Sequence, residues 1–491
     1  MIQAQILYSK LQSIGREVGD NLQRISRSPL LSQDRAFATA IFTNELKIAI
    51  QHQYEPEHLF ALKESVENLF DYFSFDIADG DVLLVADPYS GGTKGQSLTM
   101  AAPLFVEGEL VLFPAIRAQM MDLAGEYPGG FHPDAFEVWQ ENMRITPIKL
   151  YKQGVLQADI LRFLLSNSRI PTSFKSDLET MYTCLRGAQQ QLKKLLGSYG
   201  QQKVDASIES IFQYSRKRVE QHLSQLPKAG MKALVEFETT QGDKNAIDVS
   251  ITIPNNAVEI DLTGSSMQST KPINSPIALT KAFSVWPFLA TIADELSINE
   301  GTLEPFNIKT KAGTILDPQF PAATALAPSM TGHFLAEAIY RAIQNGQGPT
   351  EEFPPIYGTG PQAIFYPELG TRAETQSIVL VPGYPSTDKG FGPPALFGQR
   401  LLVSAEELEL YHGFKIVSRE WTDRKEELKV SLLNQDEDVY FNLILPFSED
   451  GDYGSVTREG EGKETFYQSI VNQHVKKGDL LVFTYPGKEE Q

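Results

Sequence analysis

A single cysteine, Cys184, in 491 residues leaves no partner for an internal disulfide. So little thiol in a chain this long fits a reducing compartment. Basic residues are also short: 43 Lys and Arg stand against 62 Asp and Glu, for a formal charge of −19. That balance excludes a phosphate-tracking nucleic-acid surface and docking on anionic lipid. The surplus carboxylates serve solubility. No apolar run approaches the ~18 residues that span a bilayer, and no secretory leader is legible at the N-terminus. The chain is therefore expected in the cytoplasm, with no nucleic-acid or membrane partner. There is no G-x-x-x-x-G-K-S/T loop, no H-E-x-x-H, no C-x-x-C and no G-x-S-x-G elbow, which removes P-loop nucleotide binding and the commonest zinc and serine-nucleophile chemistries. The seven histidines, at 52, 58, 132, 222, 333, 412 and 474, do not share helical ligand spacing.

What is present is an ordinary globular composition, 42% apolar and 21% charged, in a chain long enough to bury a core without staples. At about 150 residues per domain it divides into a few lobes. Residues 1–150 read as an α/β lobe, 151–230 as a helical segment, 231–345 as a second α/β lobe, and 346–491 as a short, β-rich, Gly/Pro-rich region. The expected class is α+β, with mixed sheets and several lobes. Leu7, Leu11, Ile14, Val18, Leu22 and Ile25 recur at spacings of three and four, one stripe of a helix. AFATAIF (36–42) and VLLVA (82–86) read as strands, 57–72 as a helix, and 102–116 as two strands turning at Glu107-Gly108. Residues 155–225 are mostly helical; 233–240, 246–253 and 257–264 are strands; a buried helix runs from Ile277 to Ala293, and SIVLV (377–381) and YFNLILP (440–446) are short strands. Cys184 lies on an amphipathic helix and reads as a core thiol.

Four places have the look of sites. In VLLVADPYSGGTKGQS (82–97) a strand enters Asp87-Pro88 and then Gly91-Gly92, which allow positive φ and close approach to a ligand or to another piece of backbone. After a second apolar strand, Asp122 opens a Gly/Pro-rich loop, the kind of position that holds either a site or a loop anchor. Within that loop His132 and Asp134 suggest a pair, although Asp134 reads better as a cap for a helix starting near Ala135. In EIDLTGSS (259–266) Asp261 precedes a turn that is either plain or a phosphate nest, with thin basic support from Lys271. Gly478-Asp479 is a turn before the last strand.

The order of these segments resembles the hydantoinase B/oxoprolinase family. GDVLLVADPYSGGT (80–93), GGFHPDAFEVWQENMRITPIKL (129–150), LLSNSRIP (164–171), EIDLTGSS (259–266), INSPIALTKA (273–282), INEGTLEPFNI (298–308) and GDLLVFTYPG (478–487) carry the resemblance. It implies a subunit of an ATP-dependent complex that opens cyclic amides, or of a related carboxylase. A hydantoinase A-type partner would bind ATP, and the B-type chain would supply a divalent metal to activate water. The family pattern G-G-T-H-x-x-D is here Gly91, Gly92, Thr93, Lys94, Gly95, Gln96, Ser97; the pattern H-x-x-D is Gln119, Met120, Met121, Asp122; and the aspartate after I-F is Thr43. The imidazoles and most carboxylates expected around the metal are replaced, and an ammonium repels a dication. No metal or other cofactor is therefore expected in this chain, and ATP only through a partner. Two functional readings follow. The first is a catalytically degenerate binding or assembly subunit in a hetero-oligomer with an A-type subunit or a B-type paralogue. The second is a metal-independent hydrolase in which Lys94, Gln119 and Asp122 converge, with substrate held along Asp87, Gly91, Gly92 and Thr93.

Overall fold

Five successive apolar residues at 82–86 can be buried only if both faces of their strand are covered. The computed structural model describes residues 2–227, 230–239, 243–291, 297–347, 361–366, 379–380, 409, 413–421, 427–435, 437–445 and 454–486. It sets that run inside an eight-stranded sheet. The strands are β1 (Phe37–Thr43), β2 (Ile48–Gln53), β3 (Val82–Ala86), β4 (Ser97–Ala101), β5 (Leu104–Val106), β6 (Glu109–Gln119), β7 (Ile145–Lys152) and β8 (Val155–Leu156). They run in the order β2-β1-β6-β4-β3-β7-β8, with β5 folded onto β6, and every pairing is antiparallel. The expected turn between β5 and β6 is present: Glu107 and Gly108 have φ of 54° and 88°, the positive pair that a tight hairpin requires.

The helices are α1 (Ile2–Ile25), α2 (Pro29–Ser32), α3 (His58–Phe73), α4 (Val138–Glu141), α5 (Ala158–Ser166), α6 (Pro171–Tyr199), α7 (Gln201–Leu223), α8 (Ile277–Thr291), α9 (Glu300–Leu303) and α10 (Thr331–Gln347). The helical run expected at 175–225 is cut at Gly200, whose φ of 81° no helix tolerates. One face of the large sheet, with Phe37, Ile41, Leu84, Met100 and Ile116, packs on α1, α6 and α7. In α1 the stripe Leu7, Leu11, Ile14, Val18 and Leu22 makes that contact, while Ile25 is half exposed. The other face, with Ala38, Phe42, Leu83, Val85 and Phe113, meets α3, and beyond it a second lobe. That lobe is a four-stranded sheet of β9 (Met231–Thr239), β10 (Asp243–Thr252), β11 (Val258–Asp261) and β12 (Phe306–Lys309), covered by α8 and α10. The alternation Ile247, Val249, Ile251, Ile253 supplies its buried face.

Toward the C-terminus, β13 (Gln362–Tyr366), β14 (Val379–Leu380), β15 (Phe414–Trp421), β16 (Glu427–Asn434), β17 (Val439–Ile444), β18 (Ser455–Glu459), β19 (Lys463–Phe466), β20 (Ile470–Val475) and β21 (Leu480–Pro486) form two sheets around Phe365, Phe414, Phe441 and Phe483. Of the strand expected at 377–381 only 379–380 is among the described residues, and most of the Gly/Pro-rich stretch from 348 to 412 lies outside them. The architecture is the mixed α+β class expected from the sequence. Among the described residues no helix is long and apolar enough to cross a membrane.

Candidate functional site

The loop after β3 is built on Asp87. Its carboxylate is almost wholly buried and accepts from Tyr89 N (3.1 Å), Ser90 Oγ (2.8 Å) and both arms of Arg144, at 3.2 and 2.7 Å. Its carbonyl oxygen accepts from Ser90 N and Gly92 N. Asp87 thus ties off the turn and docks it on Arg144. The glycine pair serves backbone packing. Gly91 has φ of 83°, and a Cβ there would lie 2.3 Å from the backbone of Glu64 in α3; at Gly92 it would lie 2.6 Å from Asp87 O. Neighbouring backbone fills the space beside both glycines. Replacing Gly91 by Ala is expected to cost about 2 kcal/mol through positive φ and collision with α3; a urea midpoint equal to the parent's would show that the loop tolerates the side chain.

Beyond this loop, cross-strand pairing gathers polar residues. Ser97 stands opposite Gln119 and Thr99 opposite Arg117, so all four share one face of the sheet. The neighbouring strand presents only Ala38 and Ala40 there, and these small side chains leave room for long ones. Lys94 enters from the loop, Glu57 and His58 come from the start of α3, and Ser65 from its middle. Lys94 Nζ donates to Glu57 Oε2 at 3.2 Å and to Gln119 Oε1 at 3.1 Å. Arg117 donates to Thr99 Oγ1 (2.9 Å), Thr93 Oγ1 (3.2 Å) and Ser65 Oγ (3.3 Å). Burial draws its guanidinium down to about 10, and Glu57 opposes that shift. His58 Nε2 lies 3.8 Å from carboxylate oxygens of both Glu55 and Glu57. The chamber is shut: Lys94 is 7% exposed, Glu57 4%, Gln119 3% and Arg117 0%.

Lys94 and Gln119 therefore meet as expected, but Asp122 does not join them. Its carboxylate is taken by Arg169, accepting from the backbone N–H at 2.8 Å and from Nη1 at 2.8 Å. That pair fastens the loop to the segment before α6. Thr93 is a partner of Arg117. Thr43 has no place in the cluster at all. In the β1–β6 register it stands opposite Leu112, while Gln119 N bonds Ala36 O at the other end of the strand, about 24 Å away at ~3.4 Å per residue. Only positions 94, 97 and 119 of the four replaced ones form a unit.

Other expectations meet simpler fates. His132 pairs with Glu126 at 2.9 Å, and Asp134 with Lys271 at 2.6 Å. Asp134 caps no helix: α4 begins at Val138, where Gln140 Oε1 accepts from Phe136 N and Glu137 N. Asp261 accepts from Thr263 N and Oγ1, which hold its carboxyl below the usual range, in an ordinary turn. The Cys184 thiol is buried and pushed up to about 11 by desolvation, as a core thiol would be.

Glu55, Glu57, His58, Ser65 and Arg117 were not legible as site residues. One signal was available: Arg117 interrupts the apolar strand LVLFPAIRAQ, and a charge at a doubly covered strand position demands buried partners. Glu141 was missed as well. Fully buried, it accepts from the backbone N–H groups of Thr324 (2.9 Å) and Ala325 (2.7 Å), and so joins the two lobes. Desolvation raises its carboxyl to about 8.

Known proteins can be set beside this geometry. The hydantoinase B/oxoprolinase family model matches residues 1–353. A protein of Pseudomonas sp. (strain NS671), named as a putative B-type subunit of a D-/L-hydantoinase, is 26% identical over 364 residues, covering 70% of this chain and 61% of its own. A 5-oxoprolinase from Arabidopsis thaliana is 25% identical over 368 residues, 70% of this chain and 29% of its own. The chain thus spans about three fifths of the first and under a third of the second. The fold aligns with the ATP-dependent caprolactamase of Pseudomonas jessenii at a TM-score of 0.86 and 20% identity, over 99% of this chain and 90% of that one. It also aligns with a nucleotide-free acetone carboxylase at 0.83 and 13% identity, over 99% and 75%. With a match that runs through most of its length and both α/β lobes, the chain belongs to the hydantoinase B/oxoprolinase family.

Proposed function

We propose that this chain is a B-type subunit of an ATP-dependent complex acting on a cyclic amide or related small carbonyl compound, and that it serves there as a binding and assembly subunit. One observation carries the reading. Where the resemblance expects a catalytic centre, Lys94, Glu57, Gln119 and Arg117 are spent on one another and on neighbouring hydroxyls, behind a closed wall. That mutual pairing and burial support a structural role for these side chains. The reaction class is drawn from relatives named hydantoinase, 5-oxoprolinase and caprolactamase. A partner is supported by the two that are named as subunits. ATP would be bound by an A-type chain, in keeping with the lack of a P-loop here, and the lone core thiol suits the cytoplasm.

The test is co-expression with an A-type subunit, followed by size-exclusion chromatography and ATP-dependent hydrolysis of hydantoin, 5-oxoproline and caprolactam. The expected result is stable co-elution without turnover. Persistent elution of the chain alone would remove the assembly role. Turnover abolished by Lys94→Ala would move the chemistry into the chamber and favour a metal-independent hydrolase.

A further inference from the structure

The family pattern places a divalent ion among positions 94, 97, 119 and 122, and the residues present do not fit one: Asp122 alone keeps its carboxylate, and Arg169 holds it. Lys94 carries donors only. Gln119 has one acceptor oxygen, and that oxygen already accepts a hydrogen bond from Lys94 Nζ at 3.1 Å. Ser97 offers a neutral hydroxyl. A transition-metal site built by protein needs about three nitrogen, sulfur or carboxylate ligands, and these positions offer only the Asp122 carboxylate, which Arg169 has taken.

A second locus lies beside the first. Among the described residues, Glu55, Glu57 and His58 form the group of acidic and imidazole side chains close enough to share an ion, with ligand atoms within 4.8 Å of one another. Yet Glu57 is the residue that holds Lys94, at 3.2 Å, and it also faces the buried Arg117. Two cations, Lys94 and Arg117, thus already act on the Glu57 carboxylate. A dication added here would leave a large excess of positive charge in a site closed to water, where such an excess is strongly penalised.

The geometry points to the Lys94 ammonium as the resident cation of this chamber: it fills the family's ion locus and its charge bars a divalent ion from both loci. It works through structure, fastening the start of α3 to the end of β6 by way of Glu57 and Gln119. This inference rests on the family reading above but is separate from the assembly role.

The test uses the full chain and Mn²⁺ and Zn²⁺ as probes, read by mass-spectrometric metal analysis and thermal unfolding. Wild-type protein is expected to retain less than about 0.1 ion per chain after metal loading and dialysis, with a Tm unmoved by either ion or by EDTA. Lys94→Ala removes the built-in cation while keeping Glu55, Glu57 and His58. It is expected to melt lower than wild type and to be raised by more than about 3 °C by metal. In Lys94→Ala combined with His58→Ala that rescue is expected to vanish. A stoichiometric ion in the wild-type chain, or a wild-type Tm that falls in EDTA, would overturn the inference even if Lys94→Ala cannot be purified. So would a folded Lys94→Ala variant that metal does not stabilise. The outcomes separate the two proposals: turnover without metal sinks the assembly reading alone, whereas bound metal without turnover sinks this one alone.

Discussion

Glu57→Gln is expected to destabilise the N-terminal lobe by about 3–5 kcal/mol, because it strands a buried ammonium. The Lys94 ammonium is 7% exposed, and its charged partner is Glu57 Oε2 at 3.2 Å. Arg117, at 0% exposure, feels the same carboxylate, so the loss falls on two cations together. Lys94→Met alone should cost less, because Arg117 still faces the Glu57 carboxylate. Glu57→Gln combined with Lys94→Met removes both charges, and its cost is expected to fall about 2–3 kcal/mol short of the sum of the singles. Urea unfolding followed by the emission of Trp286, which packs on the core shared by α3 and α8, provides the readout. Additive losses would mean that the pair does not interact.

A second large effect concerns pH. Asp177 of α6 is 2% exposed, and burial pushes its carboxyl up to about 7 even though Ser28 N–H donates to it. Below about pH 4 the folded and unfolded chains are both protonated at this residue, and its contribution to stability is fully present. As pH rises, the unfolded chain releases the proton first. The folded state therefore loses stability continuously until pH passes about 7, after which the penalty stays constant. Glu141, raised by burial to about 8, adds a loss of the same sign that ends slightly higher. Asp177→Asn keeps an acceptor for Ser28 and cannot ionise. It is expected to be about 2–4 kcal/mol more stable relative to wild type at pH 8.5 than at pH 4. Denaturation midpoints of the two proteins across that range give the difference directly, with Glu141 cancelling. A constant offset between the curves would show that Asp177 does not titrate with folding.

Periodicity alone was a good guide to the frame. β3, the hairpin at Glu107-Gly108, the α1 stripe and the alternation in β10 all follow local rules, because each depends on neighbours in sequence. β4 was harder to read. Its residues SLTMA place Ser97 and Thr99 inside, toward Arg117 and Gln119, so a fully buried strand carries polar side chains and gives no apolar alternation. β2 was hidden in the same way by Gln51 and His52.

The sequence by itself determined the α+β class, the family through the order of its motifs, the core role of Cys184, and the replacement of expected ligands at 94, 97 and 119. Only the tertiary structure decided which replacements belong together. Motif spacing says that a residue type has changed; strand register says where it stands. Register brought Ser97 to Gln119 and sent Thr43 to the far end of the same sheet. Glu57 reaches Lys94 from 37 residues away, through the packing of α3 on the sheet. A buried ammonium must find its counter-charge in space, and no pattern along the chain records which carboxylate that will be.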